Sequence, residues 1–185
     1  VMLVAGPQAT KAEIAALAKE YGVDEPLPTQ YALYLSGLVR GDFGRSIMTR
    51  RQVADDLRLF FPATLELILA AMFAAILLGI PFGIISAVAR DHWPDNLIRV
   101  FSLASISSPR FFLALLLQIL FGIIIGILPL GSRFPTLEAP PQTVTGFLTL
   151  DAILAQNWDA LGTALKHMIL PAFTLSLSPL ATITR

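Results

Sequence analysis

Cysteine is absent from the 185 residues, which excludes disulfides and every thiolate site, catalytic or metal-binding. Charge is scarce as well. Asp, Glu, Lys and Arg make up 14% of the chain, against about 25% in ordinary soluble domains. Thirteen basic and thirteen acidic residues cancel, and no basic cluster stands out, so nucleic acid is not an expected partner. The two histidines, His92 and His167, lie far apart in sequence with no ligand partner at helical spacing, which argues against a metal site. No glycine-rich phosphate loop of the Walker type occurs, so ATP is not expected to bind this chain by that route. None of the serines has the setting of a nucleophile elbow. The acidic pairs Asp24-Glu25 and Asp55-Asp56 sit in polar surroundings and read as solvated surface. No internal repeat is visible. No catalytic residue, cofactor or metal is expected, and the chain does not read as an enzyme.

Hydrophobic residues make up 55% of the chain, and they are gathered in long runs rather than short periodic stripes. Ala63 to Ala89 carries a single charge, Glu66, and Phe111 to Leu128 carries none. About 18 or more apolar residues suffice to cross a hydrocarbon core roughly 30 Å thick. Inside lipid each backbone amide must find its partner within the segment, so each run should be helical. The chain reads as an all-α integral membrane protein with membrane lipid as its solvent. Three spans are expected, near 63–89, 111–128 and 168–185, with an excursion over 129–167 and a soluble region over 1–62.

That first region has local helix signals. Thr10 and Glu13 have capping-box spacing, ahead of Ile14, Leu17, Ala18 and Tyr21 on one face. Pro26 and Pro28 introduce a second helix, from about Thr29 to Val39, with Tyr31, Tyr34, Leu35 and Leu38 on one side and Gly41 beyond its end. Gly41 to Ser46 reads as a turn, and Gln52 to Phe61 as a third amphipathic segment. Val1 to Ala5 is too short for a signal peptide, and both termini read as cut edges.

Pro62 is expected to open the first span, where a missing amide costs little. Within that span Gly79, Pro81 and Gly83 suggest a kink with close approach by a neighbouring helix, either as plain packing or as a moving hinge. Glu66 is the polar residue that invites a role. It is either a carboxylate in the first helical turn, favoured by the helix dipole, or part of a pathway. Leu97 to Leu128 is too long for one straight span, and Ser107-Ser108-Pro109-Arg110 is the expected break. Residues 97–108 should then be interfacial or re-entrant, with a span from Phe111 and Arg110 snorkelling at the boundary. Gln118, mid-span, is expected to hydrogen-bond a neighbouring helix. Asp151–Gln156 and Trp158–Lys166 read as short helices, and Met168–Ile183 as a last apolar segment broken by Pro171 and Pro179.

The order of motifs resembles one family, the membrane permease subunits of bacterial ABC importers for dipeptides and oligopeptides. YGVDEPLPTQYALYLSGLVRGDFGRS (21–46) resembles its first external loop, and PATLEL (62–67) with GIPFGIISA (79–87) its second span. SSPRFFLALLLQILF (107–121) and LPLGSR (128–133) resemble its third. TGFLTLDAI (145–153) and HMILPAFTLSLSPLATITR (167–185) resemble the next loop and fourth span. Arg110 departs from the pattern, where a small or apolar residue is usual. The resemblance implies a subunit lacking its first span and its last two, with residues 1–62 outside and 90–96 inside. Charge alone is ambiguous, with Arg50, Arg51 and Arg58 near one end of the first span and Arg90 and Arg99 near the other, and naively leans toward an internal N-terminal region. The resemblance also implies a second permease, two ATPase subunits that carry ATP and Mg, and a periplasmic solute-binding protein, in a bacterial inner membrane. Peptide is the implied cargo, with nickel or another small solute, or a non-transport scaffold, as alternatives. Possible pathway or hinge residues are Glu66, Gly79, Pro81, Gly83, Pro109 and Gln118.

Overall fold

The structure, a computed structural model, describes residues 10–20, 22, 25–46, 48–136 and 138–184. The side chain of Leu17 and the whole of Tyr21, Asp24 and Arg185 lie outside the described residues. Among those described the chain is helical, with one isolated antiparallel bridge between Arg45 and Gln52. It divides into two compact units, Val1–Phe61 and Pro62–Arg185.

In the first unit, α1 (Lys11–Glu20) opens on the expected capping box. Glu13 N–H donates to Thr10 Oγ1 at 3.3 Å, and Thr10 N–H to Glu13 Oε2 at 2.8 Å. The latter bond holds the Glu13 carboxyl below its usual range. Helix α2 (Leu27–Val39) begins directly after Pro26, two residues earlier than the expected Thr29. Pro28 sits in its first turn, where no amide partner is needed. Gly41 and Gly44 have positive φ of 81° and 72°, and Asp42 Oδ1 accepts from Gly44 N–H at 2.9 Å, so 41–46 is a turn. A cleft of about 430 Å³ lies between α2 and this turn, with Gln30, Tyr34, Phe43 and Arg45 among its walls.

Helix α3 runs unbroken from Val53 to Val88, through both Pro62 and Pro81. Two expectations change here. Pro62 does not open the span, and Gln52–Phe61 is not a separate segment. Asp55 and Asp56 occupy the true first turn, where carboxylates suit the helix dipole. Each proline removes one hydrogen bond, a loss that a helix of 36 residues tolerates. Its length is about 54 Å at 1.5 Å per residue.

After a short link, α4 (Trp93–Ser107) and the helix starting at Arg110 meet at an angle of 113°. The break falls at Pro109 as expected. Helix α5 (Arg110–Leu117) then widens into a π-helix over Gln118–Ile124. Phe111–Leu128 is therefore not a self-sufficient span. Helical residues 110–124 rise about 22 Å, short of the roughly 30 Å core. They cross only if α4 is counted with them.

Helix α6 (Leu148–Leu154) precedes α7 (Trp158–Ile183), which Pro171 and Pro179 do not break. The expected short helix at Trp158–Lys166 and the last apolar segment are one element of 26 residues. Asn157 caps it, its Oδ1 accepting from Ala160 N–H at 3.0 Å. Among the described residues, α3 and α7 are the two helices long and apolar enough to cross a membrane unaided.

The second unit is organised around α7, which packs against α4, α5 and α6. Its buried residues are mostly small, Ala160, Ala164, Ala172, Ser176 and Ala181 among them. Ala71, Ala75 and Gly79 repeat every fourth residue on the buried face of α3. Small residues let helix backbones approach closely where hydrophobic exclusion by water is unavailable. The opposite face of α3, including Leu69, Phe73 and Leu77, is exposed and suits lipid.

Candidate functional site: polar junctions at the two ends of the spans

Polar side chains gather at two levels of the second unit, with an apolar stretch between them. On α3 these levels are Glu66 and Ser86, about 30 Å apart at helical rise, which is the thickness of a hydrocarbon core.

At the first level Glu66 is 8% exposed, and both of its carboxylate oxygens are engaged. Arg133 Nη2 donates to Oε2 at 2.6 Å. Thr149 donates to Oε1 twice, from its amide at 2.7 Å and its hydroxyl at 2.5 Å. The same Arg133 Nη2 donates to the Gly146 carbonyl at 2.9 Å. Glu66 lies thirteen residues beyond the start of α3 at Val53, so a role in the first turn is overturned. The carboxylate instead ties α3 to the segment after the π-helix and to α6. It also borders a cleft of about 320 Å³, with Leu67, Leu148, Ala164, Met168 and Pro171 as its apolar walls. His167 stands at the rim of this cleft, its Nδ1 at 3.0 Å from the Gly131 carbonyl and 3.3 Å from that of Ser132. Two acceptors on one nitrogen require that Nδ1 carry the proton.

Nearby, Asp151 fixes the entry to α6. It accepts from Thr145 N–H at 2.7 Å, from the Thr145 hydroxyl at 2.7 Å and from Gly146 N–H at 3.1 Å. Burial by itself would raise the Asp151 carboxyl, but the bonds from Thr145, with those from backbone amides, outweigh it and hold the group below its usual range.

At the second level Asp95 is 1% exposed. It accepts from the Ser86 hydroxyl on α3, from Asp91 N–H at 2.9 Å and from Arg99, whose Nη2 lies 2.7 Å from Oδ2. Asp91 has φ of +62°, so the turn joining α3 to α4 is wound tightly and pinned by one carboxylate. Ser102 and Thr184 share a hydrogen bond of 3.0 Å between α4 and the end of α7. Charges are compensated locally at both levels, which suits fixed struts better than a site that captures a free ion.

The remaining residues singled out from sequence separate into two groups. Gly79 and Gly83 do admit a neighbour. A Cβ on Gly79 would stand 3.0 Å from Ile183 Cγ2, and one on Gly83 would stand 3.4 Å from the Ile183 carbonyl oxygen. Pro81 lies between them inside continuous helix. Pro109 marks the 113° break. Among the described residues Gln118 bonds no neighbouring helix. Its Nε2 donates to the Leu130 carbonyl at 3.0 Å, in the segment that follows its own helix. Arg110, expected to snorkel outward, reaches Ser178 on α7 at 3.5 Å, a long contact. Sequence reasoning missed Arg133, Thr149, His167, Asp95 and Asp151 as organising residues. Asp95 carried a legible signal, because Arg99 stands four residues on. Arg133 and Thr149 carried none, being 67 and 83 positions from Glu66.

Helices long and apolar enough to cross a bilayer, tied by polar struts at two levels about 30 Å apart, define a membrane-embedded helical protein. The chain belongs to the family of binding-protein-dependent transport system inner membrane components, whose family model matches residues 79–185. It is 45% identical over 99% of its length to the probable D,D-dipeptide transport system permease protein DdpB of Escherichia coli strain K12, covering 54% of that protein. It is 35% identical over 98% of its length to the dipeptide transport system permease protein DppB of Alkalihalophilus pseudofirmus, again covering 54%. To the putrescine export system permease protein SapB of Escherichia coli strain K12 it is 39% identical over 84% of its length, covering 49%. The chain thus spans about half the length of the curated relatives it matches.

Proposed function

We propose that this chain is part of the permease subunit of an ATP-driven importer that moves dipeptides or oligopeptides across the bacterial inner membrane. The observation that carries the reading is the similarity over nearly the whole chain to two permeases named for dipeptide transport. Two helices long and apolar enough to cross a membrane, each tied by polar struts to shorter elements, suit such a subunit. A second permease would complete the pathway, and two ATPase subunits holding ATP and Mg would supply the free-energy difference between outward- and inward-facing states. A periplasmic solute-binding protein would deliver the peptide. Residues 6–62 and, separately, 129–167 would lie outside and offer surfaces to it. Tyr34 and Phe43 line one cleft in the first of these regions, which gives a docking loop a place to insert.

The test is transport by the full-length protein, reconstituted in vesicles with its second permease, ATPases and binding protein. ATP-dependent accumulation of radiolabelled dipeptide, blocked by excess unlabelled dipeptide, is the expected result. One relative is named for putrescine export, so outward movement of putrescine is measured in the same vesicles. Putrescine efflux, or nickel uptake, without dipeptide uptake would replace the peptide reading. No ATPase copurifying with the permease would remove the transporter reading altogether. Cysteines at Tyr34 and Phe43 should crosslink to the binding protein, and failure at both would remove the docking surface from the first region.

A further inference from the structure

Four consecutive residues, Leu130 to Arg133, are bonded by side chains from three helices of the second unit. Gln118, in the π-helix that continues α5, donates to the Leu130 carbonyl at 3.0 Å. His167, on α7, places Nδ1 at 3.0 Å from the Gly131 carbonyl and 3.3 Å from that of Ser132. Glu66, on α3, accepts from Arg133 Nη2 at 2.6 Å. The stretch is held by packing too. Gly122 lacks the Cβ that would otherwise stand 2.3 Å from Leu130 Cδ2. Ser132 has φ of +58°, a left-handed conformation that a serine keeps only when its surroundings over-determine it. Its hydroxyl donates onward to the Phe134 carbonyl at 2.8 Å. Arg133 closes the base of the excursion 134–145 by donating to Gly146, and Thr149 returns to Glu66 just beyond.

We propose that residues 130–133 form a knot coupling α3 at Glu66, the π-helix at Gln118 and α7 at His167 to one another and to the excursion 134–145, so that a displacement of that excursion reaches all three helices together. A bond from a single helix would make the excursion a passive flap. Bonds from three helices to adjacent residues mean that moving one helix strains the bonds of the other two, because packed elements shift between discrete arrangements rather than deforming continuously. Resting on the transport reading above, this makes the knot the relay by which docking of the binding protein on the excursion biases the outward- or inward-facing arrangement.

The test measures amide hydrogen exchange of the full-length permease in nanodiscs, for Glu66→Leu, His167→Phe and Gln118→Leu, each of which cuts one helix from the knot. Each variant is expected to raise exchange about tenfold in 130–133 and in the turns around the two bonded helix residues that were left intact. Changes confined to residues touching the substituted side chain would overturn the coupling. Three variants on three helices keep the test open if one fails to insert. In the assembled transporter the same variants should lower the ratio of binding-protein-stimulated to basal ATP hydrolysis at least fivefold. Spread of exchange with an unchanged ratio would overturn the relay. A wild-type complex that moves no peptide would instead sink the proposed function, with the exchange result still deciding the coupling.

Discussion

The Glu66–Arg133 pair can be weighed by a double-mutant cycle. Breaking a buried ion pair by removing one partner costs about 3–5 kcal/mol when the survivor stays buried and uncompensated. Neither survivor here meets that condition in full. In Arg133→Ala, Glu66 remains buried but keeps two bonds from Thr149. In Glu66→Ala, Arg133 is 41% exposed and can turn to water, while the Thr149 amide and hydroxyl lose their acceptor. About 2–3 kcal/mol for each single substitution follows, given about 1.5–3 kcal/mol for a hydrogen bond to a charged group and partial rescue by solvent. The double variant leaves no uncompensated charge, so it should fall short of the sum by about 1–2 kcal/mol. Reversible unfolding of the detergent-solubilised protein, followed by circular dichroism during titration with a denaturing detergent, supplies the four stabilities. A coupling energy below about 0.5 kcal/mol would refute the strut, because independent sites add within that margin.

Gly79→Leu should lower thermal stability in detergent by about 1–3 kcal/mol through overpacking against Ile183, and Ile183→Ala in the same chain should recover part of the loss; a neutral Gly79→Leu would contradict the close approach of α3 and α7. Asp151→Asn should destabilise the protein by about 2 kcal/mol at neutral pH, given the bonds the carboxylate accepts. Because folding lowers the Asp151 carboxyl from its usual 3.8, its contribution is present above that value and is lost as pH falls through the lower folded one. Unfolding curves of wild type and Asp151→Asn should therefore converge in acid, and a constant gap down to strongly acidic pH would contradict the bonding described. A disulfide between cysteines replacing Ser102 and Thr184, whose oxygens are 3.0 Å apart, should form readily and slow transport reversibly if α4 and α7 move against each other; full activity in the oxidised state would show them rigid.

Much of the architecture was legible in local patterns. The capping box at Thr10 and Glu13, the proline entry to α2 and the break at Pro109 each depend on residues a few positions apart, and each is present, though α2 starts two residues early. Prolines misled where they were weighed alone. Pro62, Pro81, Pro171 and Pro179 all lie inside continuous helices, because membrane helices tolerate proline where neighbouring elements re-satisfy the freed backbone groups. Gly79 and Gly83 announced a close approach but not its partner, since Ile183 is about a hundred positions away.

By itself the sequence determined that lipid is the solvent of this protein, because run length and lack of charge are local properties measured against a bilayer of fixed thickness. It also determined that the buried elements are helices, since no other open segment satisfies its backbone in hydrocarbon. Only the tertiary structure decided what Glu66, Gln118 and His167 do. Each is a polar group with several conceivable partners, and which one it meets depends on where the chain returns after dozens of residues. Folding brought all three to the same four residues, 130–133, a convergence that no spacing along the chain encodes.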